Sequence, residues 1–324
     1  MSNVHERVQA LSDTKREALK RLLAEKNAGT AILDVAGSNL KALRKGTGPN
    51  LYLFPATEGS VGYMNGYLPH IPSEWSVYGC QTPGLDGERS PLGTVEEIAA
   101  HNVEQIRLVQ PEGPYYLAGN CMGGLPAFET ARQLQAAGHE VGLVLHLMPA
   151  FDRPWTSLPS AEELQIRGLV DYGFIIGRLL GTTVELPLDE IAAVPEQERA
   201  DIVARFLAQQ DGLSNVGHDL LRHRIDVYQA NLGAMFAYQP AGGFDGEVRI
   251  LTVGSTERGE TYMDTNAPYA AVVRGLRPDQ VRTTHVDAEA SALFDCAEPH
   301  ISTIGEVLHE VIAHAPSGST KTRA

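Results

Sequence analysis

The 324-residue chain is poor in cysteine, in basic residues and in long apolar runs. Its three cysteines, Cys80, Cys121 and Cys296, stand far apart, with no CxxC spacing and no His-rich cluster. That argues against a disulfide framework and against a zinc or other metal site, so a cysteine matters here only singly, through its reactivity. Lysine and arginine total 26 against 40 aspartate and glutamate, a formal charge of -14. Such a balance repels a phosphate backbone, and no nucleic-acid partner is expected. No run approaches the roughly 18 apolar residues of a membrane span, and the opening MSNVHERVQALSDTKRE lacks the apolar stretch of a secretory signal. A cytoplasmic location without membrane association is the expectation.

What is present suits a single large core, because 43% of the residues are hydrophobic and only 20% charged. The segment 11–26 places Ala18, Leu19, Leu22 and Leu23 on one helical stripe, which predicts an amphipathic helix within an N-terminal region of residues 1–45. Residues 41–50, KALRKGTGPN, read as a linker or turn, with the core beginning at Leu51. From there short apolar runs (LYLF, WSVYGC, PYYLAG, VGLVLHLM, EVRILTVG) alternate with helical stretches at 94–110 and 123–137. Continuous apolar runs bounded by glycine and proline predict strands buried on both faces, hence an α/β fold with a mostly parallel sheet flanked by helices over 46–314. The alternation stops at about 151–245, where helical patterns follow one another, as in a lid inserted over the strand ends. The tail 315–324 is small and polar and reads as disordered.

The strongest local signal is Gly119-Asn120-Cys121-Met122-Gly123, with a strand before it and a helix after it. This is the strand-turn-helix setting of a G-x-S-x-G nucleophile elbow, with cysteine in the serine slot. A buried cysteine in an ordinary glycine-rich turn is the alternative; the flanking strand and helix favour the nucleophile. A dinucleotide loop is disfavoured, since the G-x-G-x-x-G spacing is missing. In the α/β-hydrolase order the histidine comes last. His300 fits, because it precedes an apolar stripe of Ile301, Ile304, Val307, Leu308 and Ile312.

At these residues, and across about 50–312, the sequence resembles the thioesterase family of nonribosomal peptide and polyketide synthesis, a branch of the α/β-hydrolases. The resemblance rests on LYLFPATEGSVGYMNGYLPHI, VYGCQTPGLDGE, TVEEIAAHNVEQIRLVQPEGPYYLAG, the elbow and PHISTIGEVL. It implies an acyl-enzyme on Cys121, an oxyanion hole from the backbone N–H groups of Met122 and of Thr57 or Ala56, and a base at His300. The chain departs from the family pattern in three places. Cysteine replaces the usual serine, FPATEG replaces the usual oxyanion loop H-P-A-G-G, and Met148 stands where the family's main branch carries its acid. Glu257, after the next core strand, is the preferred replacement acid; Asp152 is the alternative, and a Cys-His dyad without an acid is the third arrangement. Glu58 is either an exposed loop charge or a partner for a substrate ammonium group, and Arg222, His223 and Arg224 are either a solvated face or a phosphate contact.

The function implied is transfer of an acyl or aminoacyl group from an acyl or peptidyl carrier protein, through Cys121, to a second thiol or another nucleophile. No cofactor is expected to be bound, the phosphopantetheine being carried by the partner. A thioester exchanged for a thioester keeps its activation, which favours transfer; hydrolysis or cyclisation is the alternative, and a non-catalytic carrier-binding module is the rival of a different class.

Overall fold

A computed structural model of the chain describes residues 38–149, 160–180, 183–210, 213, 216–254, 276–288 and 300–315. Its strands are β1 Leu40–Arg44, β2 Asn50–Phe54, β3 Ser76–Cys80, β4 Tyr115–Asn120, β5 Val141–Pro149, β6 Val248–Gly254 and β7 Val281–Asp287. Its helices are α1 Val95–Val109, α2 Gly124–Ala136, α3 Ala161–Leu180, α4 Leu188–Ala193, α5 Glu196–Ala208, α6 His218–Ala237 and α7 His300–Ala313. Two 3-10 helices that bear on the site lie at Gly62–His70 and Cys121–Gly123. The strands form one sheet in the order β1-β3-β2-β4-β5-β6-β7. Of the described strands only β1 runs antiparallel, against β3; the other pairings are parallel. The α/β-hydrolase architecture read from the sequence is therefore the one observed.

Each strand side feeds a different core. In β2, Tyr52 and Phe54 enter a core shared with α1, α2 and the lid helices, while Leu51 and Leu53 enter a second core with the first 3-10 helix and α7. Because side chains alternate along a strand and both faces are covered, every position must be apolar, which explains the unbroken run LYLF. Helix α1 starts where Thr94 caps it, its hydroxyl oxygen accepting the Glu97 N–H at 3.1 Å.

The segment 41–50 is not a linker, and the core does not begin at Leu51. β1 overlaps the start of this stretch and pairs with β3, with Leu40 and Ala42 buried. Its basic character hid the strand. Arg44 donates to the carbonyls of Trp75 at 3.1 Å, Leu68 at 2.8 Å, Ile71 at 3.2 Å and Pro72 at 2.6 Å, so this charge closes the end of the first 3-10 helix. Helices α3 to α6 fall within the expected lid, and Tyr172 of α3 meets Tyr228 of α6 edge-on at 5.5 Å. The expected helix at 11–26 and the tail from residue 316 onward lie outside the described residues. Among the described residues no helix is long and apolar enough to cross a membrane.

Candidate active site

Cys121 stands at the C-terminal end of β4 with φ 52°, the one non-glycine residue at positive φ among the described residues. An L-residue in the left-handed region costs on the order of 1–2 kcal/mol, so its surroundings must impose that conformation. They do so through backbone contact. A Cβ at Gly119 would lie 2.2 Å from the Gly123 carbonyl oxygen, and one at Gly123 would lie 2.3 Å from that of Pro55 and 2.4 Å from that of Phe54. The turn thus closes on itself and on the segment leaving β2. Gly124 follows the same logic: a Cβ there would meet His146 Cγ at 3.0 Å. Cys121 is only 6% exposed, and the short 3-10 turn that it opens leads directly into α2.

The loop after β2 is tied on three sides. The Ala56 N–H donates to the Tyr63 hydroxyl at 3.0 Å. The Ala56 carbonyl accepts the Gly59 N–H at 2.9 Å, closing a turn in which Gly59 takes φ 80°. Asn231 of α6 donates through Nδ2 to the Thr57 carbonyl at 2.8 Å, which fastens the lid to the loop. Of the two expected loop donors, the Ala56 N–H is thus already engaged by Tyr63; Thr57 and Met122 are both buried.

Two side chains around this turn were not singled out in the sequence. Asn120, fully buried immediately before Cys121, donates through Nδ2 to the hydroxyls of Tyr63 at 3.0 Å and Tyr67 at 3.3 Å. The four-residue spacing of the two tyrosines was the available signal. Tyr228 of α6 lies close enough to Cys121 to sense its charge: burial first, then the negative charges of Asp171, Cys121 and Glu58, push its phenol well above the ordinary value. Tyr228 therefore stays protonated at the lid side of the thiol. Glu58 is half-buried rather than an exposed loop charge.

His300 is the first residue of α7. β7 runs parallel to β4, and α7 is the next described element of the chain after it. Gly305 of α7 packs on the His70 ring, at the end of the 3-10 helix whose tyrosines hold Asn120. Three other described histidines are engaged elsewhere: His285 Nδ1 lies 3.0 Å from Thr252 Oγ1, His218 pairs with Asp201 at 3.0 Å, and the His223 ring covers Gly87. Met148 pairs in register with Thr252 near the end of β5. Both proposed acids, Glu257 after β6 and Asp152 after β5, lie outside the described residues. Among the described residues no three His, Cys, Asp or Glu side chains are grouped to hold a metal.

Residues 49–177 match the model of the thioesterase domain family. The chain is 30% identical over 221 residues to a dimodular nonribosomal peptide synthase of Bacillus subtilis, an alignment covering 67% of this chain and 8% of that protein. It is 30% identical over 209 residues to chondramide synthase of Chondromyces crocatus, covering 62% of this chain and 5% of that protein. The chain thus spans a small fraction of these relatives. In fold it is similar to the NocB thioesterase domain of the nocardicin cluster (TM-score 0.51, 22% identity, covering 83% of this chain and 95% of that one). It is also similar to RedJ, a thioesterase of the prodiginine pathway in Streptomyces coelicolor (TM-score 0.55, 17% identity, covering 86% and 92%).

Proposed function

Given a chain whose residues 49–177 belong to the thioesterase family of nonribosomal peptide and polyketide synthesis, we propose that it takes an acyl or aminoacyl group from a carrier-protein thioester onto Cys121 and passes it to a second nucleophile. The observation that carries this reading is the left-handed Cys121 at the strand-to-helix turn, a strained position of the kind that concentrates at functional sites.

In the proposed first step His300 takes the Cys121 proton, and the thiolate sulfur attacks the thioester carbonyl carbon. Charge that develops on the carbonyl oxygen is met by the N–H groups of Thr57 and Met122. The bond to the pantetheine sulfur then breaks, and His300 returns the proton to that leaving thiolate. In the second step an acceptor thiol repeats the sequence in reverse and Cys121 is released. Glu257, or in its place Asp152, orients His300; a dyad without either suffices for a thiol, which needs less help from a base than a hydroxyl does. The phosphopantetheine belongs to the carrier partner, and the protein supplies no cofactor of its own.

Thioester-to-thioester exchange conserves activation, which supports transfer over hydrolysis or cyclisation. The test is intact mass after mixing with an acyl-pantetheine or an acyl-carrier protein. The wild type is expected to gain the acyl mass at Cys121, and Cys121→Ala to gain none while remaining folded. Absence of any adduct on the wild type would instead favour a carrier-binding module, the reading that Met148 in the acid position supports.

A further inference from the structure

We infer that Tyr63 is a positioning residue for acyl transfer: its hydroxyl bridges the oxyanion loop to the nucleophile's own strand and so fixes how far the loop, with its Thr57 N–H, stands from Cys121. The inference rests on the reaction proposed at Cys121. The bridge consists of two bonds to one oxygen, from Ala56 N–H at 3.0 Å and from Asn120 Nδ2 at 3.0 Å. Asn120 is directly bonded to Cys121 in the chain, and its amide is further held by Tyr67. Tyr63 is itself mounted firmly, because it stands on the 3-10 helix whose far end is closed by Arg44 and whose Tyr67 is fully buried.

The geometry around Ala56 shows what this accomplishes. Its N–H is engaged by Tyr63, which fixes the peptide plane before it, and its carbonyl is engaged by the Gly59 N–H at 2.9 Å, which fixes the plane after it. In a trans peptide the N–H of the next residue points opposite to the carbonyl. Holding the Ala56 carbonyl into the turn therefore turns the Thr57 N–H out of it. Remove the hydroxyl and the first plane is released, Ala56 N–H becomes a competing donor, and the loop loses its fixed distance from Cys121.

A hole out of place slows only reactions that build an oxyanion. Acylation by a thioester does so; alkylation by iodoacetamide, which displaces iodide from a saturated carbon, does not. Tyr63→Phe is expected to lower the acylation rate constant by roughly 10- to 100-fold with little change in the half-saturating acyl-pantetheine concentration. Its pH profile of Cys121 alkylation should stay at wild type. Asn120→Ala, which removes the other arm of the bridge, should show the same split and serves where Tyr63→Phe folds poorly. Equal acylation by wild type and variants overturns the inference, as does an equal loss in acylation and alkylation, which would place the effect on the thiol. A wild type that is alkylated but never acylated overturns the proposed function and this inference with it.

Discussion

The buried imidazole of His146 packs against Gly124 at the start of α2, and its protonation is coupled to the fold. Burial pushes it down to about 4. An unfolded chain takes up that proton near pH 6.5, so between about 6.5 and 4 the unfolded state binds more protons and stability falls as pH falls. Integrated to pH 4, the loss is about 3 kcal/mol. Glu129 of α2 acts in a different window. Burial pushes its carboxyl up, but bonds from Arg132, Gln133 and Tyr238 together outweigh burial and hold it below the usual range. Its stabilisation is present above the ordinary carboxylate pKa and is lost only as pH falls below it. Urea unfolding of wild type and His146→Gln should therefore give curves that converge between pH 6.5 and 4.5, the variant being the flatter one. Parallel curves over that range would show that His146 is not the group responsible.

At the scale of elements, the elbow and the lid respond to substitution in opposite ways. Gly123→Ala sets a Cβ 2.3 Å from a backbone oxygen of the neighbouring loop, where no flexible side chain can yield; a loss of about 3 kcal/mol or failure to fold is expected in chemical denaturation. Gly233, inside α6, has nothing within 4 Å of its added Cβ. Gly233→Ala should gain up to about 1 kcal/mol, since alanine restricts the unfolded chain and favours the helix. The junction of the two elements is Asn231, whose bond to the Thr57 carbonyl joins α6 to the oxyanion loop. Asn231→Ala leaves a buried carbonyl unsatisfied and should cost about 1–3 kcal/mol. It should also speed loss of the acyl group to water, measured as the half-life of the adduct in buffer, because the lid is no longer fastened where the thioester sits. An unchanged half-life would detach the lid from that role.

For the molecule as a whole, the helices of residues 161–237 pack with one face of the sheet while α7 and the first 3-10 helix pack with the other. If the lid excludes water, an enzyme loaded with an acyl group and freed of donor should keep its adduct in buffer and discharge it when a second carrier protein is added. Discharge at the same rate in both samples would mark a hydrolytic thioesterase. Persistence with carriers present would point to a cyclising or amine-accepting reaction.

Much of this was legible in the chain because it is local. LYLF, YYLAGN and VRILTV announce strands covered on both faces, and GNCMGG announces a turn too tight for side chains on either side of Cys121, since alternation and glycine placement act over a few residues. The sequence by itself thus determined the α/β architecture and the place of Cys121 at the turn between β4 and α2. It misassigned β1, whose Arg44 reads as linker charge until the carbonyls it serves, 24 to 31 residues away, are brought to it. Only the tertiary structure decided which loop N–H groups are already engaged, because the Ala56–Tyr63 stretch, Asn120 and Asn231 come from three separate parts of the chain. Hydrogen bonds are directional and short, and which donor is already spent depends on contacts that no local pattern encodes.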